Sequence, residues 1–166
     1  MFEQVACTIV RTEGKDPTSD MRCSMAHTDP DCLFCRIVSG EIPGAKVYEN
    51  EHVFAFLDIS PFAEGHVLVV PRNHSANILE LSEADGAEVL AAIRRIGAAL
   101  MKALGAEGFH VMQNNFPAAG QTVFHTHFHV IPRKAGDGFS FAPGKGYADA
   151  DTMKRVAGAI AKAIGD

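Results

Sequence analysis

The stretch Phe124-His125-Thr126-His127-Phe128-His129-Val130-Ile131-Pro132 decides the fold, because its histidines alternate with apolar and small residues. Side chains on a strand alternate with a period of two, so His125, His127 and His129 share one face, while Phe124, Thr126, Phe128 and Val130 take the other. In a helix the same rings would scatter around the axis. Val123 and the aromatic and branched neighbours favour a pleated surface, and Pro132 stops the run. One strand carrying three titratable rings into a single site is the expectation.

Upstream, a short helical turn is expected through Phe34 and Ile37, then strands near Lys46 to Glu49, Val53 to Ile59 and His66 to Pro71. Ser60-Pro61 and Glu64-Gly65 supply the turn between the second and third, short enough for antiparallel pairing. A long helix follows, with Ser82 and Asp85 as its N-terminal cap and Gly105 as its stop. Val89, Leu90, Ile93, Ile96, Leu100 and Leu104 keep helical spacing. Gly86 and Gly97 lie inside that helix, where each costs roughly 1 kcal/mol against Ala, so close packing is expected at both. A strand from Phe109 to Gln113, the histidine strand, and a final helix bearing Met153, Val156, Ile160 and Ile164 complete the order. The fold class expected is α+β: an antiparallel meander of about five strands, one long helix and a C-terminal helix.

The chain has 166 residues, 47% of them hydrophobic, and a formal charge of -5, which fits one globular domain. No Lys/Arg stripe is present, so a nucleic-acid backbone is not expected as a partner. Nor does any apolar run approach the roughly 20 residues that span a bilayer, and Met1 to Lys15 lacks the pattern of a secretory signal. A cytoplasmic location without membrane contact is the expectation. Residues 1–31 are crowded with polar residues between Thr12 and Asp20 and are expected to form a flexible tail, with Met21 and Met25 as candidate starts; 32–166 form the domain.

Neither a Walker loop nor a G-x-G-x-x-G turn is present, so phosphate needs another cradle. Asn114 to Thr122 offers amides, a hydroxyl and a glycine turn just before the histidines.

The segment Gly120-Gln121-Thr122-Val123-Phe124-His125-Thr126-His127-Phe128-His129-Val130-Ile131-Pro132-Arg133 resembles the signature of the histidine triad, or HIT, family. The resemblance extends through Cys32-Leu33-Phe34-Cys35, Ile42-Pro43, Ala55 to Pro61 and Gly65 to Pro71, and so covers the chain from Cys32 to about Gly138. It implies a HIT-like fold, a homodimer, and a hydrolase or transferase acting at the α-phosphorus of nucleoside phosphoramidates or related AMP and GMP conjugates. On that resemblance His127 is the nucleophile that forms a covalent nucleotidyl-imidazole. A backbone carbonyl holds its tautomer, His129 assists the phosphoryl oxygen or leaving group, and His66 supports. Phe34, Ile37, Ile42, Phe56 and Ile59 match apolar positions around a purine base, Asp58 matches the ribose-binding carboxylate, and Asn114, Gly120, Gln121 and Thr122 match phosphate-contacting positions. Some bacterial members carry structural zinc on two cysteines and two histidines, and the matching residues are Cys32, Cys35, His74 and His125.

Other readings stay open from the residues themselves. The triad fits buried core histidines or a His-x-His metal centre of the cupin kind, although that centre needs a third ligand on neighbouring strands and more strands than this chain affords. Cys32 and Cys35 fit a reduced pair without metal as well as a zinc half-site. Asp58 fits a cap for the Ser60-Pro61 turn, the Phe and Ile positions fit core, and His52 and His110 read as ordinary residues. Within the family, Cys-x-x-Cys and Asp58-Ile59-Ser60-Pro61 look like the nucleoside phosphoramidase branch. Pro132-Arg133-Lys134-Ala135-Gly136-Asp137 is similar to the dinucleoside polyphosphate hydrolase branch. A purine-nucleotide-binding regulatory protein with little turnover is the further alternative.

Overall fold

The computed structural model describes residues 27–140, 144 and 146–165. In chain order these form α1 (Leu33–Val38), β1 (Lys46–Glu49), β2 (Val53–Leu57), β3 (Val67–Pro71), α2 (Glu83–Leu104), β4 (Gly108–Met112), a 3-10 turn (Pro117–Ala119), β5 (Phe128–Arg133) and α3 (Ala150–Gly165). All five strands join one antiparallel sheet in the order β1-β2-β3-β5-β4. The first three run as a meander. The last two exchange places, so the histidine-bearing β5 is interior and β4 takes the edge.

Strand periodicity sorts the core into two layers. Val53, Ala55, Val67, Val69, Phe128 and Val130 face α2, where they meet Val89, Ala92, Ile93, Ile96 and Leu100. Phe54, Phe56, Leu68 and Val70 face the other way, against Cys32, Phe34 and Cys35. Burying each such valine contributes roughly 1.5–3 kcal/mol. His129 is the cross-strand partner of Leu68, which is how β5 delivers that ring to the layer opposite α2.

Helix α2 begins where Ser82 Oγ accepts from the Asp85 amide (3.1 Å) and donates to the Asp85 carboxylate (2.8 Å), and it ends at Gly105 in the left-handed region. Its inner face differs from the expected spacing at two positions: Leu90 and Leu104 are exposed, and Ala92 takes an inner place instead. Gly97 is closely packed as expected, since a Cβ there would lie 2.4 Å from the Phe109 ring. Gly86 is not, its nearest neighbour being Leu81 at an ordinary 3.6 Å.

The expectation for residues 1–26, including the start, lies outside the described residues. His27 to Asp31, by contrast, are tied down. The His27 amide donates to Asn73 Oδ1 (3.2 Å), the His74 amide donates to the His27 carbonyl (2.6 Å), and the Asp29 amide donates to Cys35 Sγ (3.4 Å). Residues Gly136–Asp166 form a second compact unit; within it α3 has no buried residue, and Met153, Ile160 and Ile164 are exposed. Among the described residues no helix is long and apolar enough to cross a membrane.

Candidate active site

The histidine stretch is only partly strand. β5 starts at Phe128, and His125 to His127 run as irregular backbone before it. The reason is competition from the loop after β3: the Thr126 amide donates to the Ser75 carbonyl (2.7 Å), Thr126 Oγ1 donates to the same oxygen (3.1 Å), and Ser75 Oγ donates to Thr126 Oγ1 (2.9 Å). These bonds replace a sheet ladder and bury Thr126 completely. The rings still form one continuous row. His125 and His127 both lie edge-on to Phe34, with centroids 6.0 and 5.2 Å away, and His127 is 5.1 Å from His129, which is 5.1 Å from His66.

His127 sits at the centre of the row. Its Nδ1 is 2.6 Å from the His125 carbonyl, which can only accept, so the proton is on Nδ1 and Nε2 keeps its lone pair. Burial lowers its pKa from the ordinary value, against the pull of that carbonyl. Burial also lowers His66, and burial together with the neighbouring His127 and His66 pushes His129 down to about 4. Near pH 7 all three rings are neutral.

His66 and His129 share one hydrogen bond, His66 Nε2 to His129 Nδ1 at 3.0 Å. The Phe62 amide donates to His66 Nδ1 (3.3 Å), which makes Nδ1 an acceptor, puts the His66 proton on Nε2, and leaves His129 with its proton on Nε2. The Asp58 carboxylate stands 3.5 Å from His66 Nδ1. Its other oxygen accepts from the Ser60 amide (2.8 Å), so Asp58 both caps the turn and faces the histidine pair.

Phe34 and Phe56 are buried and meet edge-on at 5.6 Å, with Ile37 packed beside them and Ile42 half-buried. Ile59 is placed differently: at 99% exposure it projects into solvent on the turn after β2 and takes no part in that cluster. Of the residues expected to contact phosphate, Asn114 is half-buried next to Gly120, and Thr122 is exposed. Gln121 is spent on the loop. Its Nε2 donates to the Ala76 (2.6 Å) and Val123 (3.1 Å) carbonyls and its Oε1 accepts from the Phe116 amide (2.8 Å), so its carboxamide hydrogens are engaged within the fold. Sequence reasoning misses Phe62, whose ring stacks on His66 at 5.5 Å, and the Ser75–Thr126 pair. An aromatic four residues before a site histidine is a usable signal for the first; nothing local marks the second.

Cys32, Cys35, His74 and His125 converge, their donor atoms all within 4.8 Å of one another. Cys32 Sγ is 3.4 Å from His125 Nδ1, and Cys35 Sγ is 3.4 Å from His74 Nδ1 and 3.5 Å from His125 Nδ1. Sulfur and nitrogen ligands of tetrahedral zinc sit roughly 3.6 Å apart, given bond lengths of about 2.3 and 2.05 Å. The donor set therefore fits zinc. His125 Nε2 donates to the Pro71 carbonyl (2.9 Å), leaving Nδ1 bare toward the thiols, and the Asp29 carboxylate lies 3.9 Å from His74 Nε2. Burial raises the Cys35 thiol to about 11, so without a cation it stays protonated. His125 thus faces the cysteines, whereas His127 lies between Phe34 and His129, and His129 faces His66.

A family model described as HIT domain matches residues 39–136. The chain belongs to the HIT family. In the solved structures it resembles SMU.412c of Streptococcus mutans, at 45% identity and a TM-score of 0.78, over 84% of this chain and 89% of that one. A zinc-bound histidine triad family protein of Mycobacterium smegmatis is 36% identical with a TM-score of 0.64, over 80% and 97%. Among characterised relatives, the adenosine 5'-monophosphoramidase hnt1 of Schizosaccharomyces pombe is 44% identical over 102 residues, 61% of this chain and 74% of the relative.

Proposed function

We propose that the protein is a nucleotide hydrolase or transferase that cleaves nucleoside phosphoramidates and related nucleotide conjugates at the α-phosphorus through a nucleotidyl-His127 intermediate. The observation that carries this is the 2.6 Å bond from His127 Nδ1 to the His125 carbonyl, which presents a neutral Nε2 lone pair as nucleophile. The resemblance to a relative named as an adenosine 5'-monophosphoramidase supports the substrate class.

Three rings held neutral by burial receive an anionic phosphoryl group without prior positive charge. Arrival of that charge favours uptake of one proton by the His66–His129 pair, with Asp58 behind it. His127 Nε2 then attacks phosphorus, the bond from phosphorus to the leaving group breaks, and the leaving group takes the proton from His129. In the second half water attacks phosphorus, the phosphorus–nitrogen bond breaks, and His129 takes the water proton. Phe34, Phe56, Ile37 and Ile42 hold the base, Asp58 the ribose hydroxyls, and Asn114, Gly120 and Thr122 the phosphate. Cys32, Cys35, His74 and His125 would hold a closed four-coordinate zinc, which supplies a crosslink and no open position for water.

The test is a side-by-side assay on an adenosine phosphoramidate and a diadenosine polyphosphate, with His127→Ala as control and acid-free trapping of the adduct. The expected result is faster turnover of the phosphoramidate, a phosphorus–nitrogen adduct at His127, and loss of at least about a thousandfold in His127→Ala. Turnover surviving that substitution refutes the nucleophile.

A further inference from the structure

We infer that Asp58, His66 and His129 form a second divalent-cation site, separate from the cysteine cluster, and that a cation there and the nucleotide exclude each other. The first half stands on the geometry of the three side chains; the second rests on the proposed roles of Asp58 and of the His66–His129 pair.

The three residues come from the turn after β2, the position before β3 and the interior strand β5. One donor atom from each lies within 4.8 Å of the others. Two imidazoles and one carboxylate suit zinc, cobalt or iron, and the set shares no residue with the sulfur-bearing cluster. His66 is buried, whereas Asp58 and His129 are half-buried, so the site opens toward solvent. Near pH 7 unprotonated imidazoles predominate, and the set then carries a single negative charge. It attracts a cation outright, whereas a phosphoryl group enters with uptake of a proton. His66 Nε2 and His129 Nδ1 face each other at 3.0 Å. Two nitrogens on one tetrahedral zinc stand roughly 3.3 Å apart, given bonds of about 2.05 Å, so a small opening of the pair admits the ion.

The ion takes the place of the proton that the two rings share. His129 Nδ1 already turns a lone pair toward His66. His66 presents another at Nε2 once its proton crosses to Nδ1, where the Asp58 carboxylate stands 3.5 Å away. The Phe62 amide, long at 3.3 Å, gives up that nitrogen. One Asp58 oxygen keeps its bond from the Ser60 amide and the other is left for the cation. No proton leaves the protein, and three donors leave further positions on the ion for water. Filled in this way, the pair no longer takes up the proton that a phosphoryl group brings in, and Asp58 is withdrawn from the ribose hydroxyls.

The experiment titrates cobalt into protein already carrying one zinc per chain, and follows bound metal by equilibrium dialysis and the cobalt spectrum in visible light. Wild type is expected to take a second equivalent whose spectrum lacks thiolate charge transfer. Cys32→Ser is expected to keep that equivalent. His66→Gln and Asp58→Asn are expected to bind it at least about tenfold more weakly, the loss seen when support of a metal site is removed; circular dichroism checks that each variant is folded. At matched free cobalt, adenosine monophosphate is expected to weaken the second equivalent at least about tenfold, because coupling between two ligands is reciprocal. Absence of a second equivalent, or its survival in both folded variants, overturns the site. A second equivalent that adenosine monophosphate leaves unchanged or tightens overturns the exclusion. If wild type with one zinc shows no turnover and no adduct, the proposed function fails, while the dialysis still decides the site.

Discussion

Gly65, the residue before His66, gives the most quantitative test of how the fold places the chemistry. Its φ is +85°, and a Cβ there would lie 2.3 Å from Leu104 Cδ1, 3.3 Å from Leu100 Cδ2 and 3.5 Å from Pro132 Cγ. Gly65→Ala therefore meets two separate penalties. An L residue in the left-handed region costs roughly 1–2 kcal/mol. Overpacking costs about 1–3 kcal/mol, and the low end applies because Leu104 is the last residue of α2 and partly exposed, so its tip can turn away, while buried Leu100 must give by tenths of an ångström. Reduced freedom of the unfolded chain returns about 0.4–1 kcal/mol. The net expectation is a loss of about 2 kcal/mol. Gly105→Ala is the internal control: φ is +62°, and nothing lies within 4 Å of the added Cβ. Only the backbone penalty remains there, so a loss of about 1 kcal/mol or less is expected. Urea unfolding at constant slope measures both. Because the His66 amide donates to Ala63 and its carbonyl accepts from Asp58, kcat is expected to fall in Gly65→Ala and to hold in Gly105→Ala. Equal destabilisation of the two variants would refute the packing account.

Further outcomes follow from the same geometry. Elemental analysis of Cys32→Ser beside wild type is expected to show less zinc per chain, and equal content would sink the ligand set. His129 titrates near 4 in the folded chain because of burial and its neighbours His127 and His66, with Asp58 opposing, and near 6.5 unfolded. The unfolded chain thus binds more protons between those values, so this residue withdraws stability as pH falls from 6.5 to 4. His129→Gln should flatten the stability profile in that window, as read by urea titration at stepped pH. Gln121→Ala leaves the Phe116 amide and the Ala76 carbonyl without their partner; a loss of about 1–3 kcal/mol by thermal unfolding is expected.

What the sequence discloses depends on how local the cause is. Helix α2 is readable from Ser82 to Gly105 because cap, stripe and stop all lie within its own span. The second and third strands are readable because each is a short apolar run, Val53–Leu57 and Val67–Pro71, with turn residues between them. Thr126 is misread as strand because its backbone is claimed by Ser75, about fifty residues away, while the His125 amide turns back to the Val123 carbonyl, and no periodicity contains the Ser75 partner. The same holds for Gln121, whose side chain looks like a phosphate donor until Ala76 and Phe116 are brought beside it. Exchange of β4 and β5 is likewise a matter of long-range pairing. The convergence of Cys32, Cys35, His74 and His125 is different in kind: spacing marks only the cysteine half, and the resemblance to the HIT family supplies the rest.

The parity that divides the sheet has a consequence for how this chain tolerates change. Odd-numbered residues of β2 and β3 are answerable to the long helix, and even-numbered ones to the chemistry. Volume-conserving swaps among Val53, Val67, Val69 and Ile93 can drift together without a ring in the reactive row being disturbed, whereas a change at Phe56 or Leu68 is felt there at once. Two sets of neighbours in the same strands are thereby free to evolve on separate clocks.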